Sequence, residues 1–427
     1  MKKRIVSLIL CLTAVFGAAG ALGGCTPREN TLIICNWNDY LDESYVKNEF
    51  PKFYKERTGR RVKVKYTYFD TNEDMLFNVQ NGADYDVVCP SDYMNERMQK
   101  LGLLEKLDKD IVYDDLTAEE LYEPAMLEIV GAIDGWLDYA LPYIWGTLGI
   151  LYRGSKVADG AITDETAFRS WESMFTANYS GGGKKIYMKK SERDAFAVAN
   201  IYNNTAQLSG LTFGFSDYTA NPAYMTRLRE IMSEESAIDS SMDTLAAQRD
   251  LVFKYEVDGG KADFVKDNNN DAYYGLFWSC DAGYAMAENQ NLYYEVPVEG
   301  SNVWMDAFVV LKNAKNMDAA QHFMRFLLEE ETAMKNAEAV GSSTPLKKTA
   351  ADLSASLEAQ YEAELAGEVG DDERFFTNSD RPEAFYRMYM SMMFPDADLL
   401  SRCAMMRDFS QAGSDKLRTE FTRRATT

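Results

Sequence analysis

Histidine is nearly absent from this sequence. His322 is the single one among 427 residues, and it lies between apolar residues in the segment AAQHFMRFLL, where a structural role is expected. The sequence also contains no G-x-S-x-G motif, no phosphate-binding loop and no cluster of metal-ligating residues. We therefore expect a protein that is not an enzyme and that has neither a metal nor a cofactor. A hydrolase using the carboxylates of Asp281 and Asp306 is a less favoured alternative.

Positive charge is in short supply. Lysine and arginine total 45 against 67 acidic residues, which gives a formal net charge of −22. Such a protein is not expected to bind nucleic acid or an anionic lipid surface, whereas a cationic ligand is compatible with its charge.

A long apolar segment occurs at the N-terminus. Residues 2–4 are basic, residues 5–22 are apolar or small, and Leu-Gly-Gly-Cys follows at residues 22–25. This pattern predicts a lipoprotein signal peptide over residues 1–24. Cleavage would leave Cys25 as the lipidation site, which would anchor the protein to the extracytoplasmic face of the cell membrane. A transmembrane anchor is disfavoured, because glycine and alanine crowd the second half of the segment.

Cysteines offer little scope for metal binding or cross-linking. Of the six, Cys11 lies in the predicted signal peptide and Cys25 is the lipidation site. The others have no paired metal-ligand spacing, so free thiols are expected, with a disulfide between the first two as a minor alternative. These are Cys35, Cys89, Cys280 and Cys403.

The length that remains, about 400 residues, suits two domains better than one core. Its first part alternates a strand at residues 31–35, a helix at 42–57, a strand at 62–69, a helix opened by a capping pattern at 71–74, and a strand at 85–89. This alternation predicts an α/β fold with a parallel sheet.

Ligands of such sheets bind beyond the carboxyl ends of the strands. Two loops follow strands in this way, Asn-Trp-Asn-Asp-Tyr at residues 36–40 and Pro-Ser-Asp-Tyr at residues 90–93. Both loops place an acid next to aromatic residues, and both are therefore expected at the binding site.

Aromatic and acidic residues are neighbours at four element boundaries in all. Each case alone is more often a core aromatic or a helix cap. Together they suit an alkylammonium ligand, whose charge needs carboxylates and whose methylene chain needs apolar burial beside aromatic rings. The four places are Trp37 and Tyr40 around Asp39, Ser91 and Tyr93 around Asp92, Trp278 with Asp281, and Trp304 with Asp306.

Four segments, taken in order, resemble the spermidine/putrescine-binding proteins of bacterial ABC importers, which are extracellular solute-binding proteins of the family 1 type. Each motif is modest alone, and the ordered set is specific. The segments are NWNDY at residues 36–40, YDVVCPSDY at 85–93, LPYIWG at 141–146 and WMD at 304–306.

The resemblance implies a two-lobed periplasmic-binding-protein fold of type II with two hinge crossovers. Closure of the lobes would trap a polyamine, and the closed form would dock on a membrane permease. The crossovers would lie near residues 141–145 and 303–306, with residues 31–141 and 305–350 in one lobe and residues 142–304 and 351–427 in the other.

The resemblance also implies ten polyamine contacts. Asp306 and Asp39 would be acids for ammonium groups, and Ser91 a polar contact. Asp281 resembles the acid of the putrescine-preferring branch, and Asp194 falls where the family has a carboxylate. The remaining five contacts would form an aromatic box of Trp37, Tyr40, Tyr93, Trp278 and Trp304.

This chain departs from the family at three positions. Ser191 replaces a second acid, Ser342 replaces a common tyrosine, and Asp194 is shorter than the usual glutamate. The choice between putrescine and spermidine is therefore open, with a lean to putrescine because of Asp281. The expected function is that of a monomeric, lipid-anchored binding protein of an ABC importer. A receptor for a sugar or a ferric ion, or a polyamine sensor without transport, is the alternative.

Overall fold

The computed structural model describes residues 28–218, 222–256, 259–266 and 271–426. The predicted signal peptide and the lipidation site Cys25 lie outside these residues. Within them, no helix combines the length and the apolar character that crossing a membrane requires.

Eleven strands form a continuous sheet in the described part of the chain. They are β1 (Thr31–Asn36), β2 (Lys63–Tyr68), β3 (Val87–Val88), β4 (Leu104–Glu105), β5 (Ala140–Arg153), β6 (Ile186–Lys189), β7 (Val252–Glu256), β8 (Tyr274–Trp278), β9 (Leu292–Glu295), β10 (Ser301–Leu311) and β11 (Cys403–Ala404).

The sheet has two parallel units, one at each end. Its order is β2-β1-β3-β10-β5-β8-β6-β7, with β4 and β11 beside β10 and β9 beside β5. In the first unit β1 runs parallel to both β2 and β3, and in the second β6 runs parallel to both β7 and β8. The parallel α/β arrangement predicted for the start of the chain is therefore confirmed.

Two long strands, β5 and β10, join these units. They are antiparallel, from Val303 opposite Thr147 to Val309 opposite Ala140, and all of their residues are buried. β3 pairs with the end of β10, whereas β8 pairs with the end of β5, so each long strand belongs to both halves. The two predicted crossovers correspond to these strands, while the exact lobe boundaries stay a prediction.

Both strands include the sequence motifs singled out above. LPYIWG, residues 141–146, lies inside β5 rather than ahead of it, and Trp304 and Asp306 lie inside β10. The register shifts between Asp306 and Ala307, opposite Pro142. Proline has no N–H to donate to the neighbouring strand, so an irregularity at this place is expected.

The first helices follow their local sequence signals. Asp42 caps a helix by accepting a hydrogen bond from the backbone N–H of Tyr45 at 2.9 Å, and Gly59 ends that helix in the left-handed conformation. In chain order the helices are α1 (Glu43–Thr58), α2 (Asn72–Gln80), α3 (Asp92–Lys100), α4 (Lys109–Val112), α5 (Ala118–Leu121), α6 (Pro124–Val130), α7 (Gly154–Ala158), α8 (Glu172–Phe175), α9 (Glu192–Asn203), α10 (Thr205–Leu211), α11 (Ala223–Met232), α12 (Ile238–Gln248), α13 (Gly259–Val265), α14 (Ser279–Glu288), α15 (Met317–Leu327), α16 (Glu330–Val340), α17 (Lys347–Ala366), α18 (Pro382–Met393), α19 (Ala397–Leu400) and α20 (Gln411–Glu420).

Candidate functional site

Trp304 lies on β10 where the two halves of the sheet meet. Its side chain is 8% exposed, and its indole N–H donates to the carbonyl of Thr147 at 3.2 Å. The ring packs directly against Gly146, where an added Cβ would lie 2.6 Å from a ring carbon and would also clash with the hydroxyl of Ser279. Glycine is thus required at this point of LPYIWG because the indole approaches the backbone of β5.

Asp306 lies two residues further along the same strand, on the same face. It is 7% exposed, and its Oδ2 accepts a hydrogen bond from the hydroxyl of Tyr40 at 2.8 Å. Its Oδ1 is buried and has no hydrogen-bond partner among the described residues. Burial raises the pKa of Asp306 to about 6, because it outweighs the opposing effect of the Ser91 and Tyr40 hydroxyls. Asp306 is therefore a buried carboxylate with a hydrogen bond on one oxygen and none on the other within the described residues.

The first loop holds Trp37 and Tyr40 in place. The hydroxyl of Tyr143 donates to the carbonyl of Tyr40 at 2.9 Å, and Trp37 packs on Phe69 with ring centroids 4.3 Å apart. The indole nitrogen of Trp37 is buried and has no partner within the described ranges. The loop therefore presents Tyr40 to Asp306 and packs Trp37 against Phe69.

Asp39, in the same loop, is separated from these side chains. It is exposed, it has a left-handed φ of 54°, and it accepts a hydrogen bond from the amide of Asn38 at 2.7 Å. The structure does not bring the predicted acid of this loop together with Asp306.

Ser91 and Tyr93, predicted in a loop, lie at the start of α3 and are bound by one residue that the sequence analysis missed. The side-chain amide of Asn72 donates to Ser91 Oγ at 3.1 Å and to the hydroxyl of Tyr93 at 3.2 Å. The Tyr93 hydroxyl donates to Glu73 at 3.1 Å. Asn72 and Glu73 open α2, directly after the cap Thr71, so the predicted helix start was the signal that could have located them.

Asp194 and Trp278 meet in the other half of the molecule. The indole N–H of Trp278 donates to Asp194 Oδ2 at 3.1 Å, and Asp194 is buried. Burial raises the pKa of Asp194 against the lowering effect of hydrogen bonds with Ser191 and Trp278. Ser191, which replaces a family acid, accepts the backbone N–H of Asp194 at 3.3 Å and so caps α9.

Asp281 has cationic partners on both oxygens. Lys189 Nζ lies 2.7 Å from Oδ2, and Lys261 Nζ lies 3.1 Å from Oδ1. Although burial opposes ionisation, the two lysines outweigh it and lower the pKa of Asp281. A ligand ammonium would have to displace a lysine to reach this acid. The sequence analysis missed both lysines, because neither is near Asp281 in the chain.

Cys35 lies on β1 and Cys89 directly follows the neighbouring strand β3, but both are free thiols, so the minor alternative of a disulfide between them was wrong. Their strands run parallel, and parallel neighbours rarely have disulfide geometry.

Comparison with known proteins fixes the family. Residues 51–365, more than half of the chain, match the bacterial extracellular solute-binding proteins. The chain belongs to this family. Its members bind solutes and are not enzymes, so the expectation of a binding protein is confirmed at the level of the family.

Curated relatives of this solute-binding protein are named for polyamines. It is 28% identical over 341 residues to the spermidine/putrescine-binding periplasmic protein of Escherichia coli (strain K12), covering 77% of this chain and 82% of the relative. It is 26% identical over 322 residues to the putrescine-binding periplasmic protein PotF of the same organism, covering 73% of this chain and 77% of the relative. The resemblance inferred from the four motifs is thus confirmed.

Solved structures confirm the two-lobed periplasmic-binding-protein fold. The spermidine/putrescine ABC transporter substrate-binding protein PotD of Streptococcus pneumoniae matches with a TM-score of 0.60 at 24% identity, over 92% of this chain and 98% of that protein. The Tp0655 (TpPotD) lipoprotein of Treponema pallidum matches with a TM-score of 0.59 at 18% identity and the same coverage.

Proposed function

We propose that this solute-binding protein binds a polyamine, putrescine or spermidine, in the cleft between its lobes and delivers it to the permease of an ABC importer. The observation that carries the proposal is the buried Oδ1 of Asp306, which has no hydrogen-bond partner in the described part of the chain. A buried carboxylate is costly without a cationic or hydrogen-bonding partner, and a ligand ammonium would supply both.

The surroundings of Asp306 suit the rest of such a ligand. Trp304 lies on the same strand, Tyr40 contacts the carboxylate, and Trp37 belongs to the same loop as Tyr40. Their rings would bury the methylene chain and attract the adjoining ammonium through cation–π contacts. Asp194, buried beside Trp278, also forms no ion pair shorter than 4 Å with the residues described here.

The other predicted contacts receive unequal support. Ser91 and Tyr93 share Asn72 and so form one polar group on the first lobe. The exposure of Asp39 argues against a direct contact, and the lysines on Asp281 remove the reason for preferring putrescine. We therefore propose polyamine binding without an order between putrescine and spermidine.

The transport cycle follows from the two crossovers. We propose that β5 and β10 form the hinge between a lobe of residues 31–141 with 305–350 and a lobe of the remaining residues, and that lipidated Cys25 tethers a monomer to the outer face of the membrane. Two strands can twist without breaking the hydrogen bonds inside either lobe, so closure about them is mechanically simple.

Isothermal titration calorimetry tests the ligand class. The complete protein, purified in mild detergent, is titrated with putrescine, cadaverine, spermidine and spermine, and with maltose and a ferric salt for the alternative ligands. We expect saturable one-to-one binding of at least one polyamine, weakened about tenfold by Trp37→Ala through loss of a cation–π contact. Phe213→Ala, at an aromatic side chain that is 89% exposed, is the control. Heat from maltose or iron alone would contradict the proposal.

A further inference from the structure

Lys189 ends β6 and is fully buried, at 0% exposure. A lysine is almost never this buried without ionic partners. Its Nζ lies 2.7 Å from Asp281 Oδ2, 3.7 Å from Glu256 and 3.9 Å from the ring centroid of Trp278. An ammonium over an indole and against a carboxylate is the arrangement that the site offers to an alkylammonium ligand, and here a side chain of the protein provides the ammonium.

The charges around Lys189 are balanced within the protein. Lys261 approaches the second oxygen of Asp281 at 3.1 Å, so two lysines face the carboxylates of Asp281 and Glu256. Burial disfavours the Lys189 ammonium, but attraction to these acids outweighs it and raises the pKa of Lys189. The group is therefore charged at neutral pH, and Asp281 has a lysine on each of its oxygens.

Asp306 and Asp194 differ from Asp281 in their partners. Asp306 contacts the Tyr40 hydroxyl, and Asp194 contacts the Trp278 indole. Neither takes part in an ion pair shorter than 4 Å within the ranges that the structure covers. Trp278 connects the two environments, because its N–H bonds to Asp194 while its ring lies under Lys189.

We propose that Lys189 is a built-in ammonium that occupies a cation subsite formed by Trp278 and Asp281, so that a polyamine can place its own ammonium groups only at Asp306 and Asp194. This inference rests on the proposed polyamine-binding function and makes Lys189 a determinant of ligand specificity. Asp281 is then the counter-ion of a lysine and does not contact the ligand.

Removal of the built-in charge should change which amine is preferred. Lys189→Met retains an unbranched apolar chain and frees Asp281 Oδ2 for a ligand ammonium. Calorimetry on the complete protein in mild detergent compares putrescine, spermidine and spermine, which carry two, three and four amino groups. Relative to the amine that the wild type prefers, Lys189→Met should bind the amine with one more amino group better than the wild type does. We expect the ratio of these two affinities to change at least about tenfold in that direction.

Two matched variants isolate the cause. Lys189→Met combined with Asp281→Asn removes the lysine together with its nearest carboxylate, so the acid that would hold a ligand ammonium is lost and the shift should disappear, while affinity for the wild-type ligand stays within about threefold. The double variant leaves one charge of each sign, Lys261 and Glu256, which keeps the test available if the single variant fails to fold. Lys261→Met, at the more exposed lysine, leaves Lys189 in place and should retain the wild-type order of affinities.

The outcomes separate this inference from the proposed function. An unchanged order of affinities in Lys189→Met, or a loss beyond about thirtyfold in the double variant, would overturn the built-in ammonium while polyamine binding by the wild type stands. Amine binding by Lys189→Met but not by the wild type would support the built-in ammonium and overturn the wild-type ligand. Silence from both folded proteins toward all three amines would overturn both proposals.

Discussion

The Asp306 and Asp281 regions have similar sequences and opposite electrostatics. Each places a tryptophan two or three residues before an aspartate. Asp306 has a buried oxygen without a hydrogen-bond partner in the described residues and a pKa raised to about 6, whereas Asp281 has a lysine on each oxygen and a lowered pKa. An aromatic–acid pair in a sequence therefore marks a place where an ammonium fits, and the fold decides whether the protein or the ligand supplies it.

The largest expected effect on stability concerns the Asp281 region, where each carboxylate oxygen already has a lysine partner. Lys189→Met should lower the free energy of unfolding by about 3–5 kcal/mol, because it leaves buried Asp281 with only Lys261 as a cationic partner. Asp281→Asn in addition should restore most of that loss. Urea unfolding followed by circular dichroism measures both variants, and equal stability of the single and double variants would contradict an ionic role for the pair.

Removal of the Asp306 charge, in the other region, should weaken polyamine binding without lowering stability. Asp306→Asn should weaken polyamine affinity about 100-fold, because the ligand ammonium loses a buried charged partner. At pH 8 the ligand-free variant should melt at a temperature no lower than the wild type, since an incompletely satisfied buried charge is removed. Calorimetry and thermal unfolding test the two parts separately. An Asp306→Asn variant that loses stability but keeps its polyamine affinity would show that Asp306 acts in folding and not in binding.

Lowering the pH should weaken polyamine binding at Asp306, whose pKa is raised, before it affects Asp281, whose pKa is lowered. Asp306 must be ionised to hold an ammonium, so polyamine affinity should fall below about pH 6 and be about tenfold weaker at pH 5. In the ligand-free protein the sign is opposite: the folded pKa is above the unfolded value of 3.8, so this group's contribution to stability decreases as pH rises from about 4 to 6. Titrations between pH 5 and 8 test the binding part, with Asp306→Asn as the control that lacks this titrating carboxyl group.

The smallest effect is expected at Asp39, which has the same residue type in a third aromatic context. Because Asp39 is exposed and bonded to Asn38, Asp39→Asn should change polyamine affinity less than about twofold. A tenfold loss in the same calorimetric assay would show that this loop rearranges to bring the carboxylate to the ligand.

Local signals in the sequence predicted much of the fold. The caps Asp42 and Thr71 begin helices where expected, and Gly59 ends one, because capping depends on side chains within a few residues. The motifs also predicted Trp304, Asp306 and Tyr40 for one site, and the structure joins two of these three by the hydrogen bond from Tyr40 to Asp306, while their role in binding stays a prediction.

Pairings between distant segments could not be predicted in this way. Lys189 and Asp281 are 92 residues apart in the chain, and Asn72 reaches two residues of a loop about twenty positions later. Neither contact has a periodic pattern, because each depends on which strands become neighbours in the sheet. The lengths of β5 and β10 depend in the same way on their pairing with each other and with strands from distant parts of the chain.

The sequence by itself determined the class of protein, the alternation of strands and helices, and the kinds of side chain available for a cation. Only the tertiary structure decided which carboxylates are still in need of a partner. The physical reason is that the charge a buried acid presents to a ligand is what remains after its neighbours in space have bound it, and those neighbours come from other parts of the chain.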